Sequence, residues 1–161
     1  MRTFALSAAL IFSAAAAHAA AAGPVADVTV SIGPELREKA ETYGARDLQR
    51  LAAELEADVE TALAREGRLG QGGGRLELVL ADAVPTRPTF EQMSDRPDLS
   101  MQSFGTGGAT IEGRLVHADG SAEPVAFRWY EDDIRWSRHG GTWSDAEKAF
   151  ELFARDFAKG R

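Results

Sequence analysis

Asp132, Asp133 and His139 are the residue types from which a small hydrolase is assembled, since paired carboxylates shift one another's proton affinity and an imidazole exchanges protons near neutral pH. Consecutive positions of an extended segment point to opposite sides, so the run Glu131-Asp132-Asp133 makes a shared acid-base or cation site only on a turn. Otherwise it is a solvated loop. His117, at a strand end beside a turn, reads as a hydrogen-bonded surface residue. The chain has no cysteine, and of its three histidines His18 falls in a segment that reads as an export signal, which leaves carboxylates and the imidazoles of His117 and His139 as metal ligands, with no pair at ligand spacing. The glycine runs at 70–74 and 105–108 lack the lysine of a phosphate-binding loop, and no Gly-x-Ser-x-Gly elbow, His-Glu-x-x-His helix or calcium loop is present. No catalytic, cofactor-binding or metal residue is therefore assigned, and no cofactor is expected.

Aromatic and guanidinium groups form the other candidate. Trp129, Tyr130, Trp136 and Trp143 stand close together with Arg128, Arg135 and Arg138, a mixture that buries area and forks hydrogen bonds at binding hot spots. Trp129 falls on a strand and Trp143 at the start of a helix, so both read as core. Trp136 reads as exposed. The expected binding surface is Arg135, Trp136, Arg138 and His139.

These residues must be positioned by a chain of 161 residues with a formal net charge of −7. Arg2, the uncharged alanine-rich run 4–17 and Ala17-His18-Ala19 have the form of an export signal cut after Ala19. Residues 1–19 are read as signal peptide, 20–26 as a flexible lead and 27–161 as one globular domain, periplasmic or secreted. The apolar run is short and leads into Gly23-Pro24, and there is no cysteine to carry a lipid, so no membrane anchor is expected after signal removal. The acidic balance speaks against a nucleic-acid partner.

Residues 27–32 alternate polar and apolar as a strand does. Over 46–66, Leu48, Leu51, Leu55, Val59, Ala62 and Leu63 make one helical stripe, with Asp47 at its positive end and Gly67 to stop it. A strand follows over 76–84, whose core Leu78-Val79-Leu80-Ala81 asks for cover on one face and part of the other. Residues 85–108 have no sustained period and read as a long loop with apolar groups to dock, the first place to seek a binding surface. Two strands, 110–117 and 124–131, flank a turn. A three-residue loop of Ala118, Asp119 and Gly120 sets Ile111 opposite Phe127 and keeps both apolar faces on one side. Ser144 and Glu147 have capping-box spacing ahead of a helix that stripes Ala146, Ala149, Phe150, Phe153 and Phe157. The expected fold is α/β of the α+β kind, a single-domain sandwich of a four-stranded mixed sheet and two helices in the order β-α-β-β-β-α.

The segments Gly107-Gly108-Ala109-Thr110-Ile111-Glu112-Gly113 and Thr142-Trp143-Ser144-Asp145-Ala146-Glu147-Lys148-Ala149-Phe150 resemble those of an uncharacterised bacterial envelope family, often lipoproteins. The resemblance implies an α/β domain in the periplasm, similar in outline to auxiliary domains of envelope transport systems, and carries no functional residue. The expectation is a non-enzymatic exported domain that binds an envelope protein or a small ligand through 85–108 and the loop from Arg135 to Trp143. A hydrolase using Asp132, Asp133 and His139 is the alternative.

Overall fold

The computed structural model describes residues 23–137 and 140–161. The expected signal segment 1–19, Arg138 and His139 lie outside the described residues. Within them the chain is an α+β domain with one four-stranded mixed sheet.

Strand β1 (Val25–Ile32) starts two residues before the expected position, and is followed by two short helices, α1 (Pro34–Glu38) and α2 (Ala40–Tyr43), and the long α3 (Ala45–Arg65). Then come β2 (Gly74–Val84), α4 (Phe90–Asp95), β3 (Gly108–Val116), β4 (Ala122–Tyr130), α5 (Ile134–Ser137) and α6 (Ser144–Ala158). The expectation of two helices in a β-α-β-β-β-α order is thus corrected to six among the described residues. The four additions are single turns or little more, too short for a periodic stripe to reveal them.

The sheet order follows the sequence, β1-β2-β3-β4, with β1 parallel to β2 and the other pairs antiparallel. Ile111 faces Phe127 across the hairpin, as its apolar faces require, and Gly120 takes the left-handed turn position at φ 85°. One irregularity redirects a side chain. Simple alternation after Leu76, Leu78 and Leu80 would aim Asp82 into the core, but the register shifts between Leu80 and Asp82. Ala83 is buried in its place and Asp82 turns to the other face.

Both long helices cover the same face. α3 lies over β1, α6 over β3 and β4, and the two pack on each other. Leu51, Leu55, Val59 and Leu63 of α3 and Phe150 of α6 are fully buried, together with Leu76, Leu80 and Ile111 from the sheet. Each such side chain contributes on the order of 1.5 to 3 kcal/mol by leaving water, enough for a domain without disulfides to hold together. The other sheet face stays open. Ser31, Glu77, Glu112 and Arg114 line it, and Arg114 and Glu77 pair at 2.7 Å in solvent.

Candidate functional site

The ends of β1, β2 and β4, the start of β3 and the N-termini of both long helices meet at one end of the molecule, where the long connections also gather. Burial there departs from the usual rule. Thr86, Thr89, Ser137 and Asp145 are the buried polar side chains among the described residues, and all four lie at this end.

Asp145, in the first turn of α6, holds the arrangement together. Its Oδ2 accepts from the backbone N–H of Gly107 at 2.8 Å and from the Ser137 hydroxyl at 3.2 Å, while its own N–H donates to Thr86 Oγ1 at 3.1 Å. One residue therefore ties β2's exit, β3's start, α5 and α6. Gly107 is required by close approach: a Cβ there would stand 2.5 Å from the Val84 carbonyl. Thr86 completes the clasp, its N–H donating to the Thr142 carbonyl and its own carbonyl accepting from Gly105.

The expected capping box of Ser144 and Glu147 is not formed. Trp143 is the N-cap and makes no side-chain cap bond, because its ring is buried edge-on against Tyr43 at 5.7 Å with Nε1 donating to Asp47 at 2.9 Å. That anchorage starts the helix one residue early, so Ser144 falls inside it and donates to the Gly141 carbonyl instead. A capping box does occur within 85–108, where the sequence predicts a long loop. Thr89 Oγ1 accepts from the Gln92 N–H, the Gln92 side chain accepts from the Thr89 N–H, and Thr89 Oγ1 donates to the Thr42 carbonyl. The Thr89-x-x-Gln92 spacing was the signal for it.

Arg87 joins the two long connections. Its Nε donates to the Gly140 carbonyl at 2.5 Å, another nitrogen donates to the Met101 carbonyl at 2.8 Å, and the guanidinium stacks over Phe104. Arg87 thus links the two segments through which binding is expected. The segments at this end also carry Phe90, Met101, Phe104, Ile134 and Trp136, five of the six exposed large apolar side chains among the described residues. Trp136 is 72% exposed and Phe90 77%. Neighbouring charges are paired within the surface: Arg135 grips Asp133 through two nitrogens, and Arg96 grips Asp98. The Arg135 hydrogen bond holds the Asp133 carboxyl below the ordinary aspartate range.

The acidic run does not converge. Glu131 Oε1 turns back to accept the backbone N–H groups of Asp132 and Asp133, and Asp133 is committed to Arg135. Among the described residues no group of three carboxylates or imidazoles is arranged to hold a metal ion. His117 contacts Glu123 at 3.3 Å beside the hairpin, far from this end in the topology. A second polar cluster sits on the open sheet face, where Asp82 accepts from Lys39 and from the Tyr130 hydroxyl, both at 2.7 Å, and Tyr130 reaches Thr110 at 3.1 Å. Burial pushes the Asp82 carboxyl up, yet the hydrogen bonds from Lys39 and Tyr130 outweigh it and leave it below the ordinary value. With every charge matched, this cluster fastens β4's last residue to β2 and to the segment before α2.

Fold and surface together define a two-layer α+β domain with a fastened pair of loops carrying exposed aromatic groups at one end. No known protein-family model matches the chain, and no curated protein matches it in sequence. The resemblance noted from the two C-terminal segments accordingly assigns it to no family. No helix among the described residues is long and apolar enough to cross a membrane.

Proposed function

We propose that the chain is a non-enzymatic domain, exported to the periplasm, that binds an envelope protein through the surface built from 85–108 and the α5 segment. One observation carries the reading: five large apolar groups stand in solvent at the same end as a clasp of four buried polar ones, the inverse of what stability alone selects. A protein partner fits better than a small ligand, since the concavity here is shallow and only about 250 Å³, below the roughly 300–1,000 Å³ of ligand pockets. The paired rim charges suit a partner surface that is apolar at its centre and near neutral around it.

The test compares the full chain with Trp136→Ala and Phe104→Ala, each checked first for an unchanged melting temperature. Affinity capture from envelope extract should recover a partner with the parent chain and lose it with either variant. Recovery of the same proteins in the same amounts with both variants overturns the reading. Export is tested separately, by the mass of the chain recovered from periplasm: a start at Ala20 supports it, and full-length protein confined to the cytosol refutes it.

A further inference from the structure

The two edges of the sheet are finished differently. On β1 the outward backbone is occupied at both ends and at Val30: Val25 N–H donates to the Arg68 carbonyl, Val25 C=O accepts from Gly70, Val30 N–H donates to Glu56 at 3.2 Å, and Ile32 C=O accepts from Arg37. β4 has no such cover. The bonds from His117 to Ser121 and from Glu131 to Gly107 show that odd-numbered residues of β4 pair inward with β3. Even-numbered residues therefore present their backbone to the outside, and among the described residues the main-chain groups of Ala126 and Arg128 that face outward have no partner in the chain. Behind this edge Val125, Phe127 and Trp129 are only partly buried, and a groove of about 220 Å³ opens between β4 and α6, lined by Phe127, Phe153 and Phe157.

We propose that this edge is a self-association surface, and that two copies of the chain join β4 to β4 in antiparallel fashion about a two-fold axis at Ala126. Register arithmetic selects this pairing. Centred on Ala126, Val125 of one copy faces Phe127 of the other, twice, in the close non-hydrogen-bonded positions, which extends the apolar face across the junction. A shift of one residue pair in one direction sets Glu123 against Glu131 of the second copy. The opposite shift sets Glu123 against Phe127 and leaves Val125 facing only its own symmetry mate, so both Val125–Phe127 contacts are lost, whereas centring on Ala126 sets Glu123 against Trp129.

The helices agree with the strands. α6 packs on β3 and β4, so joining β4 to β4 places both copies of α6 on the same face of the joined sheet, on either side of the junction. The β1 edge, capped at both ends and at Val30, is the less open of the two and disfavours growth beyond a pair. Pro124 stands at an outward position and offers no N–H, so one bond on each side of the axis is missing. The contact strip is about 30 Å long and roughly 15 Å deep, at the lower limit for a specific interface, and the expected dimer has a Kd in the micromolar range or weaker.

Sedimentation equilibrium of the full chain across about 1 to 500 µM should show a reversible monomer–dimer equilibrium. Ala126→Pro removes the central outward N–H without touching the β3 ladder, and Ala126→Lys opposes two like charges at the axis; each should raise the dimer Kd about tenfold or more. The lysine variant keeps the backbone and decides the matter if the proline variant fails to fold. Since the chain has no cysteine, Ala126→Cys gives an independent reading. Paired Cα atoms about 5.5 Å apart allow a disulfide, so this variant should cross-link under mild oxidation faster than Thr29→Cys on the open face. A monomer at every concentration, a dimer indifferent to both Ala126 substitutions, or equal cross-linking at the two positions overturns the proposal.

Discussion

The two ends of this domain reverse the chain with a different balance of means. At the hairpin end the turns rest on glycine backbone and local bonds: Gly67, Gly72, Gly120 and Gly160 take positive φ, and Asp119 accepts from both the N–H and the hydroxyl of Ser121. No polar residue is wholly buried there among the described residues, although half-buried Arg68 donates to the carbonyls of Phe157 and Ala158, and Leu69 is the one large apolar group exposed. At the loop end the chain is held by buried side chains that bond to distant backbone, Asp145 to Gly107 and Thr89 to Thr42 among them. The hairpin end has one such side chain, half-buried Arg68, where the loop end has four buried polar ones. The difference teaches that the loop end keeps a specified shape on which exposed aromatic groups are displayed, and that shape is a requirement beyond folding.

Breaking the clasp should give the largest effect. Asp145→Ala leaves the Gly107 N–H and the Ser137 hydroxyl without an acceptor, and unsatisfied buried groups cost about 1–3 kcal/mol each. The expected loss is about 3 kcal/mol, seen as a fall in melting temperature of roughly 6–12 °C. Asp145→Asn keeps an acceptor for Gly107 and should lose about half as much. Equal, small losses for both would mean that the loop end is held by its apolar contacts, as the hairpin end is held by its backbone.

Acid provides a second comparison. Asp82 titrates below the ordinary aspartate value because its bonds from Lys39 and Tyr130 outweigh its burial, so its contribution is present above the unfolded pKa of ~3.9 and is lost as pH falls through the lower folded one. Asp82→Asn should therefore be less stable than the parent chain at neutral pH, with the gap closing only in acid below the ordinary aspartate range. Thermal melts over pH 2–7 check it, and a gap that is constant across that range refutes the role given to Lys39. Hydrogen exchange should place the acid-sensitive opening at Tyr130 and the end of β4, with the hairpin turn unmoved.

Where the fold was legible in the sequence, a single period or a single turn residue was enough. The α3 stripe of Leu48, Leu51, Leu55 and Val59, the phenylalanines of α6, and the hairpin register set by Ile111 and Phe127 each depend on one repeating pattern, and the four-stranded sheet with two long helices follows from them. The loop end was legible only in part. Asp145 bonds to Thr86 and Gly107, residues remote in sequence, and no local pattern announces a partner so far away. The bulge before Asp82 was hidden because strict alternation is what the eye extends. α4 could have been read from Thr89 and Gln92, and the start of α6 was misplaced because the capping preference of Ser144 yields to the burial of Trp143. Of the surface residues, Arg135 and Trp136 stand exposed on α5, while Arg87, which joins the two segments, carries no motif at all.

At the hairpin end the expected effect is local. Gly120→Ala forces a side chain into φ 85°, which costs about 1 kcal/mol, and it should lower stability without altering capture of a partner. A loss of binding from this change would erase the distinction between the ends.

The smallest stability effect and the sharpest test is Trp136→Ala. Most of this side chain is already in water, so its removal should change the folding free energy by no more than about 0.5 kcal/mol. Its indole is nevertheless among the largest apolar surfaces the loop end displays, and a central aromatic anchor in a protein interface loses about 2 kcal/mol or more on truncation, a drop in affinity of about thirtyfold. Stability and binding should thus separate at this residue, whereas at Asp145 they fall together, because the clasp shapes the surface that Trp136 occupies. Titration calorimetry against the captured partner, run beside thermal melts of both variants, distinguishes the two patterns. If Trp136→Ala lowered stability as much as Asp145→Ala, the indole would be part of the clasp and the display surface would lie elsewhere on this end.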